Sequence, residues 1–288
     1  MNDKFIKNMF NTSELPIIDF GLEDMSQKAQ KLTGKLSISG VQPKLSMKFD
    51  KKRNSLIPVA EGGEYILKPQ INAFLNIPEN EQCCMDIAAE FKIDVPLHCL
   101  VPLEDGSLAY IVKRFDREVG VKIHQEDFSQ ILEAEDKYKG SVEQIGRKLK
   151  EISTAPGYDV QLFFERVVFN FVIGNGDAHL KNYSISYKDR ETIRLAPAYD
   201  IVCSKLVIPD ETDSALTING KNNKLKREDF NKVADYLNVP SKIRYEKFEK
   251  SLNLMETVIK RSKIKNESQK KFVGIIIERL SRLGFVER

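Results

Sequence analysis

The 288-residue chain has no tryptophan, only three histidines and four cysteines, and no run of 18 apolar residues. Each scarcity excludes something. Without such a run there is no candidate for a membrane-spanning helix. Cys83, Cys84, Cys99 and Cys203 form no C-x-x-C pair, and the adjacent Cys83–Cys84 are poorly placed to bridge each other. A disulfide framework is therefore not expected, and a reducing compartment fits better. His98, His124 and His179 stand far apart, with no H-E-x-x-H and no Cys/His cluster, which argues against a zinc centre. An excess of one charge is missing too: 45 lysines and arginines face 42 aspartates and glutamates. A dedicated nucleic-acid binder would show a basic domain or stripe. The one basic stretch, KRSKIKNESQKK (Lys260 to Lys271), reads as a solvated helix face and loop. The start, MNDKFIKNMFNTSELP, carries no signal-peptide apolar core, so the expectation is a cytoplasmic protein or one exported without a classical signal.

What is present describes an ordinary folded protein, 41% apolar and 30% charged, long enough for one large domain or two lobes. Residues 35–70 are β-rich. KLSIS and KLSMKFD alternate around GVQP as a hairpin-like pair, followed by SLIPVA and YILKPQ between turns. PENEQCCMDIAAEFKI then places Glu81, Cys84, Met85, Ala88 and Phe91 at helical spacing, and DVPLHCLVPLEDGSLAYIVKRFDR reads as two or three strands around an EDGS turn. After Asp116 helices dominate: QEDFSQIL, SVEQIGRKLKEIS, the strongly apolar VQLFFERVVFNFVIG, then KREDFNKVADYLN, PSKIRYEKFEKSLNLMETVIKRSK (from Pro240) and ESQKKFVGIIIERLSRLG, interrupted by the strand candidates YSISYKD and TIRLAPAYDIVC. The class expected is α+β and bilobal, a β-rich N-lobe (1–116) with one main helix and a helical C-lobe (117–288), joined near Lys113–Arg117.

Three polar features fall in order along this pattern. Lys68 ends the apolar strand YILKP, where it reads either as a snorkelling edge residue or as a ligand for nucleotide phosphates. Glu81, on the buried stripe of the next helix, is either its ion-pair partner or a charge favoured near the helix start. Behind the apolar core helix comes GNGDAHLKNYS, in which Asp177 and Asn182 have D-x-x-x-x-N spacing. Kinases use that spacing for a base that accepts the substrate hydroxyl's proton and for an amide that holds Mg²⁺. Asp200, in APAYDIV and 23 residues after Asp177, is placed to return beside that loop as a second Mg²⁺ ligand or to serve as a turn residue. Any one of these occurs by chance; lysine, D-x-x-x-x-N and aspartate in this order are harder to obtain by accident.

Together, SISGVQPKLSM, YILKP, NEQCCMDIAAEF, YIVKRFDR, GNGDAHLKNYSI and LAPAYDIV resemble the HipA-like bacterial toxin kinases, over roughly Lys35 to Val202. The length is similar to the short HipT type. The resemblance implies a two-lobed, protein-kinase-like fold and a serine/threonine protein kinase that uses ATP and Mg²⁺, inactivates an aminoacyl-tRNA synthetase and pairs with an antitoxin of HipB or HipS type. Direct nucleic-acid or membrane binding is not implied. Carried over by position, Lys68 holds the ATP phosphates with Glu81 as its candidate partner, and Asp177 is the catalytic base. Asn182 and Asp200 bind Mg²⁺, and VKRF, with Val112, Lys113 and Phe115, touches adenine through main-chain groups. Ser37 and Ser39 of SISG match the family's autophosphorylated loop. This loop departs from the glycine-rich type, with one glycine, Gly40, and then Pro43. A phosphate there adds about −1.5 to −2 charge and would repel ATP. D-I-V in place of D-F-G also means that no Phe/Gly switch is expected.

Two other readings stay open at this level. The NGD…N loop is also like that of small-molecule kinases of the aminoglycoside- or choline-kinase type, and a kinase fold without activity could serve as a binding module. His179 reads as a packed structural histidine inside the loop.

Overall fold

The computed structural model describes residues 3–25, 43–118, 121–189 and 191–287. Ser37, Ser39 and the SISG half of the first expected hairpin lie outside them. The chain divides into two compact units, one made of Met1–Gln82 and Pro96–Val121, the other of Cys83–Val95 and Lys122–Arg288.

The first unit is built on a five-stranded antiparallel sheet of order β2-β1-β3-β5-β4: β1 (Leu45–Asp50), β2 (Ser55–Pro58), β3 (Tyr65–Pro69), β4 (His98–Pro102) and β5 (Leu108–Lys113). Strand alternation assigns its two faces. Leu45, Leu67, Ile111 and Cys99 stand in one cross-strand row, and all four are buried in a core with Met9 and Phe10 of helix α1 (Asp3–Phe10). The Tyr65 hydroxyl donates to Met9 O at 2.8 Å and fixes that helix to the sheet. One residue on, Lys68 falls in the row of Tyr110 and Leu100, on the opposite face from Leu67. Helix α2 (Ile77–Glu90) follows; its residues up to Gln82 belong to the first unit and the rest to the second.

The second unit is mainly helical. Its centre is α5 (Pro156–Val172), with Pro at its first position and nearly every side chain from Asp159 onward buried, as expected of a helix apolar all round. Before it come α3 (Phe128–Ile131) and α4 (Val142–Ile152), each opened by a reciprocal capping box, Asp127 with Gln130 and Ser141 with Gln144. After it come α6 (Arg227–Tyr236), α7 (Leu252–Arg261) and α8 (Asn266–Arg282). A three-stranded antiparallel sheet completes the unit: β10 (Ile193–Leu195), β9 (Ser184–Tyr187) and β8 (His124–Asp127), preceded in the chain by the short ribbon β6 (Arg117–Glu118) and β7 (Val121–Lys122). Asp159 anchors β10 to the central helix. It accepts from Arg194 at 2.8 Å, from Leu195 N at 3.0 Å and from Ser153 Oγ at 2.6 Å.

Two expected elements are shorter than their sequence pattern. The strand read through TIRLAPAYDIVC stops at Leu195: Pro197 has no N–H for a ladder, and Asp200 has φ +54°. The helix read from Pro240 begins only at Leu252, after a 3-10 turn at Ser241–Ile243. Among the described residues no helix is long and apolar enough to cross a membrane.

Candidate active site

In the first unit Lys68 and Glu81 meet. Lys68 Nζ donates to Glu81 Oε1 at 2.5 Å, and the two residues are 4% and 1% exposed. The ammonium also stands 5.5 Å from the centre of the Tyr110 ring. Removing one member of such a buried pair strands the other charge, a cost of about 3–5 kcal/mol. A snorkelling lysine would hold its head in water; this one does not. Val112 and Lys113 end β5 and Phe115 follows. The Lys113 and Arg114 amides already donate to Leu97 O and Glu64 O, both at 2.8 Å. Asp116 is gripped by Arg114 Nη2 at 2.7 Å and Arg117 Nη1 at 2.6 Å, which hold its carboxyl below its usual range despite burial.

In the second unit the sequence GNGDAHLKN forms a tight loop after α5. Gly174 takes φ +74°, a left-handed conformation suited to glycine, and its N–H closes on Phe171 O at 3.1 Å while Asn175 N closes on Asn170 O at 2.8 Å. Gly176 has a different reason. A Cβ there would lie 2.4 Å from Glu211 Oε2 and 2.5 Å from Thr212 O. Ser204 Oγ accepts from Gly176 N at 2.8 Å and donates to Glu211 Oε2, while Lys205 N donates to Gly174 O at 3.0 Å. Segment 204–212 is thus a clamp under the two glycines. Glu211 is raised above its usual range, chiefly by burial and further by the nearby Asp177 charge.

The loop so held presents Asp177 to solvent and keeps its neighbours inside: Ala178, His179 and Leu180 are buried. Asp177 Oδ1 accepts the Tyr138 hydroxyl at 3.0 Å, and its carbonyl accepts His179 N at 2.8 Å. Asn182 lies one 3-10 turn on (Leu180–Asn182), and its Oδ1 accepts His179 N at 3.0 Å. His179 is 7% exposed and edge-on to the Tyr138 ring at 5.2 Å. Burial lowers its pKa below 6.5 against the opposing pull of the Asp177 and Asp200 carboxylates, so the imidazole is neutral at pH 7. His179 N thus meets both Asp177 O and Asn182 Oδ1, and its ring feels the charges of Asp177 and Asp200. Asp200 itself has φ +54°, an unusual conformation for a non-glycine residue. Beside it, Tyr199 bonds Ser184 Oγ and donates to Lys181 O at 2.9 Å, and Arg166 donates to Ala196 O at 2.6 Å. These contacts fix the return of the chain to the loop.

The structure therefore brings together Lys68 with Glu81, and Asp177 with Asn182 at His179, whose ring also feels the Asp200 charge. It also adds residues that spacing could not single out. Tyr138, Ser204 and Glu211 lie 28 to 39 residues from the loop residues they meet, and nothing periodic marks them. Oxygen donors from an amide and a carboxylate, Asn182 and Asp200, suit a hard cation such as Mg²⁺, which needs few protein ligands when phosphates and waters supply the rest. Among the described residues no cluster of three or more His, Cys, Asp or Glu capable of holding a metal occurs.

The fold is similar to that of two solved proteins. HipA of Shewanella oneidensis MR-1, from a complex with HipB and its operator DNA, superposes with a TM-score of 0.74 at 19% identity, covering 100% of this chain and 74% of that one. The Helicobacter pylori proinflammatory kinase CtkA gives 0.55 at 16% identity, covering 79% of this chain and 87% of that one. Both share the mixed helix-and-sheet fold, in line with the protein-kinase-like class expected from the sequence. Over residues 36–269 the sequence matches the HipA-like C-terminal domain, and the chain belongs to that family. Y4dM of Sinorhizobium fredii (strain NBRC 101917 / NGR234), provisionally named a kinase, is 41% identical over 203 residues, 64% of this chain and 49% of that protein. A Haemophilus influenzae protein (strain ATCC 51907 / DSM 11121 / KW20 / Rd), also provisionally named a kinase, is 33% identical over 194 residues, 62% of this chain and 56% of that protein. The chain spans about half the length of these two relatives.

Proposed function

We propose that this chain is an ATP- and Mg²⁺-dependent serine/threonine protein kinase, acting as the toxin of a HipA-type toxin–antitoxin system. The observation that carries the reading is the loop at the end of α5, where an exposed Asp177 and Asn182 both hold the buried His179 through its backbone N–H.

Phosphoryl transfer asks little covalent chemistry of a protein; positioning and charge supply most of the catalysis. Asp177, open to solvent, accepts the proton of the incoming serine hydroxyl as its oxygen attacks the γ-phosphorus. The glycine clamp keeps the aspartate in place, and its buried neighbours leave it the one side chain of Asp177–Leu180 that reaches outward. Lys68 holds ATP phosphate oxygens, its ammonium kept charged and aimed by Glu81. Asn182 and Asp200 hold Mg²⁺, which supplies charge neutralisation of the phosphates when bound. Backbone groups of the segment from Val112 to Phe115 meet adenine. Phosphorylation of Ser37 or Ser39 switches the enzyme off by adding negative charge that repels ATP. An aminoacyl-tRNA synthetase is the protein substrate, and an antitoxin of HipB or HipS type the partner; the HipB present with the Shewanella HipA supports the latter.

Intact-mass and peptide mass spectrometry after incubation with Mg–ATP tests this, once a phosphatase has cleared the purified chain. Wild type should gain phosphate at Ser37 or Ser39, and Asp177→Asn should gain none. ATP binding without transfer in the wild type would point instead to a kinase fold kept for binding.

A further inference from the structure

We propose that Tyr138 is a positioning residue for phosphoryl transfer: its phenolic hydroxyl fixes Asp177 through Oδ1 and leaves Oδ2 to take the proton of the acceptor hydroxyl. The inference rests on the kinase reading above.

Tyr138 is 47% exposed, so burial of its ring does not explain its place. Its location is nonetheless built from several contacts. Asp136 Oδ1 accepts Tyr138 N at 2.9 Å, and Lys139 N donates to Asp136 O at 3.1 Å, closing a turn that presents the side chain. That turn is tied to the catalytic loop itself, because Leu180 N donates to Lys137 O at 3.1 Å. The ring meets His179 edge-on at 5.2 Å and carries the Lys137 ammonium 4.8 Å from its centre. From this platform the hydroxyl reaches Asp177 Oδ1 at 3.0 Å.

A carboxylate on an exposed loop turns freely, and a base must hold one orientation while the acceptor hydroxyl approaches. One donor on one oxygen provides that, since an ionised carboxylate accepts at both oxygens. Oδ1 is taken by Tyr138; Oδ2 has no partner among the described residues. Burial and the Asp177 charge push the phenol up to about 12, so the hydroxyl keeps its proton and acts only as a donor near neutral pH. In the transfer the acceptor oxygen bonds the γ-phosphorus and the bond from phosphorus to the bridging oxygen breaks. ADP leaves with that electron pair, and the acceptor's proton passes to Oδ2.

The test compares the full chain with Tyr138→Phe and Tyr138→Leu, using Mg–ATP as the probe and measuring phosphate incorporated and phosphate released. Phe keeps the ring on His179 and removes only the hydroxyl. Its kcat should fall about tenfold, the effect of one charge-assisted hydrogen bond, with KM for ATP and melting temperature unchanged, and Leu should fall no further. A Phe variant as fast as wild type, with only Leu impaired, would reduce Tyr138 to ring packing and overturn the proposal. A Phe variant faster than wild type would overturn it in the other direction, making the hydroxyl an occupant that the acceptor displaces. Wild type without any turnover would instead remove the kinase reading itself.

Discussion

The Lys68–Glu81 pair and the Asp177 loop solve opposite problems. The pair is sealed: an ion pair with both residues at most 4% exposed, on the face of β3 opposite the first unit's core. The loop is open: the carboxylate proposed as the base is exposed, while Ala178, His179 and Leu180 after it are buried and Gly176 before it is clamped. A group that holds a fixed charge gains from burial, because the low dielectric strengthens the pairing and keeps the ammonium aimed. A group that must accept a proton from an arriving hydroxyl has to stay accessible, and its rigidity must come from beneath. The first site is fixed by a partner charge, the second by glycines and a serine–glutamate clamp.

The largest effect should come from breaking the sealed site. Lys68→Met leaves Glu81 buried without its cation, so transfer should be lost and stability should fall by about 3–5 kcal/mol, read as a drop in thermal or urea midpoint. Lys68→Met combined with Glu81→Leu should recover much of the stability and none of the transfer. Recovery of both would separate the pair from catalysis.

The open site should break more gently. Gly176→Ala drives a Cβ into Glu211 and the Thr212 carbonyl; overpacking of this kind costs about 1–3 kcal/mol, and the loop must shift to relieve it. Transfer should fall by more than ATP affinity. An Ala variant with wild-type transfer would show that the clamp does not position Asp177.

The smallest effect concerns pH, and two carboxylates of one segment have opposite signs. Asp213 is lowered from 3.8: burial pushes it up, but bonds from Arg282, Leu225 N and Arg279 outweigh that. A carboxyl lowered by folding contributes stability above pH 3.8 that is lost as pH falls through its folded value. Glu211 is raised from 4.5, mainly by burial. Its contribution is fully present below pH 4.5 and is lost as pH rises through its folded value. Glu211→Gln should therefore flatten the decline in melting temperature above pH 4.5 and leave the acid-side loss intact. An unchanged alkaline-side slope would show that Glu211 does not titrate in the clamp.

Much of this was legible in sequence because it rests on local periodicity. YILKP stood out as an apolar strand ending in Lys68, helical spacing put Glu81 on a buried stripe, and a strongly apolar helix announced the core before GNGDAHLKN. The clamp was not legible, since Ser204 and Glu211 meet Gly176 only through tertiary folding and sit in unremarkable polar sequence. Tyr138 was hidden for the same reason, a lone aromatic in EAEDKYKG. The strand expected through Asp200 failed because pattern alone missed a proline without a donor and a left-handed backbone at Asp200.

The most direct measurement is a single-turnover assay of γ-phosphate transfer from labelled Mg–ATP, run beside an ATP-binding titration, for wild type and Asp177→Asn. The account predicts matched ATP affinity in both proteins and transfer in the wild type alone. Equal transfer in both would contradict it, because the exposed carboxylate of the loop would then not be the base.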